Sequence, residues 1–134
     1  MTTANVGPMS PFFVVTDVGI AIGFYRDLLG FNVIHAEGTP TPFFAILHRE
    51  AAMLFVKSED GIAPTPNPGL HRHLPWDAYC YTAEPEALAA EFAARGATFS
   101  KPLENNSSGL RGFELADPDG YVLFFGRPMA AGER

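Results

Sequence analysis

Short apolar runs separated by turn residues, with two stretches of helical spacing among them, set the pattern of this chain. The first run, PFFVVTDV, leads to Asp17, a residue type that caps helices by accepting backbone N–H groups. Beyond it Ile22, Phe24, Tyr25, Leu28 and Leu29 make an apolar-rich helical segment that Gly30 stops. Three more runs follow, FNVIHAE, PFFAILHRE and AAMLFVK, each bounded by Gly, Pro or a charged turn, as the strands of a meander are. The first half predicts β-α-β-β-β.

Residues 58–75 have no periodicity and are rich in proline, so they predict a linker. The order then recurs. WDAYCYT predicts a strand, and EPEALAAEFAARG predicts a helix with Glu84 near its cap, Pro85 at its first position and Gly96 at its end. ATFSKP, LRGFELA and YVLFFG predict three further strands, the last ended by Gly126 and Pro128. Asp117-Pro118-Asp119-Gly120 joins the final two as a turn: proline presets φ, glycine accepts positive φ, and the Asp side chains bond nearby N–H groups. Two copies of one module leave two half-exposed sheets, which pairing can bury.

Composition narrows the class. At 134 residues the chain makes one domain with a substantial core, and 47 % hydrophobic against 18 % charged residues excludes a disordered chain. A formal charge of −6 argues against nucleic acid or an anionic membrane as partner, since both require clustered Lys and Arg. Residues 1–11 carry neither a basic region nor a long apolar run, so a cytoplasmic location is expected. The single cysteine, Cys80, cannot form an internal disulfide and reads as a small buried hydrophobe. His71 and His73 could share a face of an extended linker, but their Pro- and Gly-rich surroundings argue against a metal site there.

The stretches FVVTDVGIAIGFYRDLLGF and GLRGFELADPDGYVLFF, at matching places in the two repeats, resemble the vicinal oxygen chelate superfamily. That superfamily includes glyoxalase I, extradiol dioxygenases, and fosfomycin- and bleomycin-resistance proteins. The resemblance covers nearly the whole chain. It implies an α+β fold: two paired βαβββ modules, about 10–57 and 76–127, forming a curved mixed sheet around a cup with the helices outside. Enzymes of the superfamily hold a divalent metal in that cup through one His, Gln or Glu from each of four strands. Here the corresponding slots fall on Pro11, Met53, Asp77 and Phe124, and one carboxylate is not a site. No metal and no other cofactor is expected.

Period-two parity then places side chains. With Asp77 in the cup, Tyr79 and Tyr81 join it, while Ala78, Cys80 and Thr82 turn to the helices. The same parity sends Phe13 and Val15 after Pro11, and Val122 and Phe124 along the last strand, into the cup. Trp76 reads as a pocket wall or as a lid over hydrophobic surface. The candidate ligand-binding set is therefore Phe13, Met53, Trp76, Asp77, Tyr79, Tyr81 and Phe124. No parity argument decides whether Arg111, Phe113 and Leu115 or Gly112, Glu114 and Ala116 face the cup.

Two functions of different class remain open. One is a binding protein like the bleomycin-resistance group, sequestering a cationic aromatic compound within a homodimer. The other is a glyoxalase- or dioxygenase-type lyase or isomerase acting on a small metabolite. The absent ligand types favour the first.

Overall fold

Asp17 begins the first helix as its type predicts, accepting the backbone N–H of Ile20 at 3.0 Å. The computed structural model describes residues 3–70 and 72–133, so His71 lies outside the described residues. The first module comprises β1 (Phe12–Val14), α1 (Val18–Gly23), β2 (Asn32–Glu37), β3 (Phe44–Arg49) and β4 (Ala52–Lys57). α1 runs straight on into a π-helical turn over Phe24–Leu28. The second module comprises β5 (Ala78–Tyr81), α2 (Pro85–Ala94), β6 (Lys101–Asn105), β7 (Leu110–Ala116) and β8 (Val122–Pro128). Pro85 opens α2, and Gly96 closes the segment at φ +95°, a conformation glycine adopts without strain.

Each module is a four-stranded mixed sheet, ordered β1-β4-β3-β2 and β5-β8-β7-β6, whose first and last strands pair in parallel. The fold is α+β, two paired βαβββ modules, and the ladders divide between two sheets. A single hydrophobic cluster joins them. It takes the inward side chains of both sheets, such as Leu47, Val56, Phe113 and Phe125, together with Val18, Ala21 and Tyr25 from the first helix and Ala89 and Phe92 from α2. Burying each large side chain contributes about 1.5–3 kcal/mol.

The Asp-Pro-Asp-Gly turn fastens one module to the other. Asp117 accepts the backbone N–H groups of Asp119 and Tyr121, both at 2.9 Å, and the hydroxyl of Tyr25 donates to it at 2.9 Å. Burial pushes the Asp117 carboxyl above its ordinary range, and burial with the Asp117 charge raises Tyr25 well above its own. Phe13 stacks on Tyr121 at 4.3 Å, and the Tyr121 hydroxyl donates to the carbonyl of Val14 at 2.7 Å. A second tie lies on the other side, where Arg49 forks onto Glu91 of α2 at 2.7 and 2.8 Å. Among the described residues no helix is long and apolar enough to cross a membrane.

Two boundaries differ from the sequence expectation. β6 begins at Lys101, later than ATFSKP suggested, and β8 continues through Gly126 to Pro128. Gly126 does not end the strand because it pairs with Gly112 inside the ladder.

Candidate functional site

The outward face of the second sheet is built around that glycine pair. β7 and β8 set Gly112 opposite Gly126 and Glu114 opposite Phe124, so all four share one face. A Cβ on Gly112 would meet Phe124 Cζ at 2.5 Å, and one on Gly126 would meet Phe124 Cε1 at 2.7 Å. The Phe124 ring therefore lies across the two glycines. Tyr79, from the neighbouring β5, stands nearly parallel to it at 5.7 Å and donates its hydroxyl to the Gly126 carbonyl at 3.1 Å. Trp76 stacks on Phe124 at 4.1 Å and 24°. The result is an aromatic shelf whose Phe124 ring, only 3 % exposed, lies beneath the Trp76 indole.

Glu114 supplies its charge. The residue is only 9 % exposed, and among the described residues its sole ion-pair partner is Lys101 Nζ, at 4.0 Å. β7 thus turns Gly112 and Glu114 outward, while Arg111 bonds Glu86 of α2 at 2.6 Å and Phe113 and Leu115 enter the core. Sequence reasoning leaves the facing of β7 undecided and takes Gly126 as the end of the last strand, and so misses Glu114, Gly112 and Gly126. A glycine inside a predicted strand, Gly112 in LRGFELA, is the available signal.

The seven residues expected to bind ligand do not form one cluster. Trp76, Tyr79 and Phe124 make the shelf, and Tyr81 stands exposed farther along β5. The parity expected along β1 is off by one: Phe13 stacks on Tyr121 in the core and borders the cavity between the modules, and Phe12 takes the outward position opposite Phe55. A one-residue shift in parity exchanges the two faces of a strand. Val15 is buried by the same alternation. Met53 lies outward on the first sheet, opposite His48. Asp77 is a staple, accepting the N–H groups of Asn67 at 2.7 Å and Val122 at 2.8 Å.

These positions do not fit a divalent ion. Pro11 offers no side-chain donor, Phe124 offers a ring, and both Asp77 oxygens are engaged by backbone. No cluster of three or more His, Cys, Asp or Glu occurs among the described residues.

A cavity of about 600 Å³ lies between the modules, bordered by Phe13, Met53, Cys80, Tyr81, Leu88 and Phe92. On its polar rim Arg49 holds Glu91 and the Leu29 carbonyl, and Glu91 also accepts from Arg95. Hydrogen bonds from Arg49 hold the Glu91 carboxyl down at about 2. Burial raises the Cys80 thiol, which makes it a poor nucleophile.

The sequence pattern of the Glyoxalase/Bleomycin resistance protein/Dioxygenase superfamily matches residues 9–125, and the chain belongs to that superfamily. No curated protein matches it by sequence. Among solved structures it is similar to TioX from Micromonospora sp. ML1, at 19 % identity over 92 % of this chain and 100 % of that one, with a TM-score of 0.71. It is also similar to the bleomycin-binding protein of Streptomyces verticillus complexed with copper(II)-bleomycin, at 21 % identity, 96 % and 100 % coverage and a TM-score of 0.69. A lactoylglutathione lyase from Agrobacterium tumefaciens matches at 20 % identity, 92 % and 95 % coverage and a TM-score of 0.63.

Proposed function

We propose that this protein binds small molecules without a metal and sequesters planar, cationic aromatic compounds, bleomycin-like ones among them. The observation that carries this reading is the shelf of Phe124 and Tyr79 beside the nearly buried Glu114. A cation over an aromatic face gains about 0.5–2 kcal/mol, and a carboxylate adds charge-assisted hydrogen bonds. The fold shared with a bleomycin-binding protein supports the class of ligand. Glu114 replaces Asp77 as the orienting carboxylate, because Asp77 is committed to backbone.

The reading includes a cytoplasmic homodimer. β1 and β5 are both sheet edges, and large apolar side chains stand exposed on them, with Phe12 at 54 % and Tyr81 at 63 %. Light scattering at micromolar concentration should give the dimer mass; a monomer mass removes this part of the reading.

Calorimetric titration with bleomycin and with ethidium tests the ligand class. Phe124→Ala and Tyr79→Ala should each weaken binding by about tenfold or more while the fold is retained. Glu114→Gln should weaken the cations and leave neutral planar compounds unaffected. Binding indifferent to all three substitutions overturns the reading.

A further inference from the structure

Trp76 is the chain's one tryptophan, and its indole lies against the ring that the proposed ligand would use. We propose that Trp76 is an internal occupant of the ligand's stacking place, a side-chain gate that swings aside when a planar cation takes its position on Phe124. This inference rests on the binding function proposed above. Three features of the linker and shelf support it.

The backbone at Trp76 is pinned. Its carbonyl accepts from Asn67 Nδ2 at 2.8 Å, and the next residue is held by Asp77 N–H to the Val122 carbonyl at 2.8 Å and by the Asp77 carboxylate contacts. Raising the whole residue to admit a ligand beneath it would break these bonds, whereas rotating the indole about its own side-chain bonds breaks none. The stack itself, 4.1 Å between centroids at 24°, is the geometry a planar ligand would adopt on Phe124.

The closed position also carries a cost. The indole Nε1–H is buried and finds no acceptor among the described residues. A buried donor without a partner opposes the state that contains it, and turning the indole into water restores its hydrogen bond. Stacking holds the gate shut and the orphan donor loosens it, so the exchange of indole for ligand is balanced. The small polar recess of about 130 Å³ between residues 72–76 and the β6–β7 turn lies next to the indole.

The test uses ethidium as probe and a fluorotryptophan label, which gives one fluorine resonance because Trp76 stands alone. On saturation with ethidium the resonance should acquire the solvent-isotope shift of an exposed indole. Trp76→Ala should bind ethidium about 2- to 10-fold more tightly than the unaltered protein, the factor one aromatic pair contributes. Equal or weaker binding by Trp76→Ala, or a label that stays buried, overturns the gate, and the ligand site survives with Trp76 as a wall. Ethidium binding to neither protein, or binding that Phe124→Ala leaves unchanged, overturns the shelf reading and the gate together.

Discussion

The two modules share a register and differ in what it displays. Phe12 pairs with Phe55 in the first as Tyr79 pairs with Phe124 in the second, and Ile46 stands opposite Phe55 where Glu114 stands opposite Phe124. At the next pair on the same face, the first module has Phe44 and Lys57 where the second has Gly112 and Gly126. The rings of Phe12, Phe44 and Phe55 consequently meet at tilts of 37° to 54°, while Tyr79 and Phe124 lie within 13° of parallel. Two side chains removed from a sheet face turn an aromatic cluster into a shelf.

The strongest way to break this contrast is to restore bulk. Gly112→Val puts a Cβ against the Phe125 carbonyl and the Phe124 ring, and should cost about 3 kcal/mol in urea unfolding and abolish shelf binding. Tyr25→Phe tests the turn that joins the modules. Removing its hydroxyl leaves the buried Asp117 one donor short and should cost about 1–3 kcal/mol, again read from urea unfolding.

Acid sharpens the comparison of the two inter-module ties, which titrate with opposite sign. Glu91 is held at about 2, so its contribution is complete above its ordinary value of 4.5 and is lost as pH falls from there toward 2. Asp117 is raised by burial, so its titration favours the fold at low pH and this benefit fades as pH rises through its folded value. Melting temperature should therefore fall below pH 4.5 in the unaltered protein and fall less steeply in Glu91→Gln.

The smallest effects come from the outward faces. Glu114→Ile copies the first module and should change stability by less than about 1 kcal/mol, since a buried charge replaced by a hydrophobe of similar size is often neutral or stabilising. Its loss of cation binding would be the larger signal. Lys57→Ala removes a cation 5.8 Å from the Phe12 ring and should cost about 0.5 kcal/mol in thermal unfolding.

Much of the fold was legible in the chain. Asp17, Gly30, Pro85 and Gly96 marked helix boundaries, and the repeated order of apolar runs marked both modules, because caps, turns and periodicity are local properties. Parity reached Tyr79 and Phe124, Trp76 stood out as the aromatic residue opening their strand pair, and residue types alone located the turn at Asp117–Gly120. Only the tertiary structure decided the rest. Parity fixes which side chains share a face but not which face is buried, so Phe13 went to the core and Phe12 outward. Asp77 is tied to the backbone of Val122, on a strand far from it in sequence, while Glu114 stands beside Phe124 through the register of the last hairpin, and neither setting follows from residue type alone. Local sequence sets the alternation of a strand, and the packing of one sheet on another chooses between its two sides.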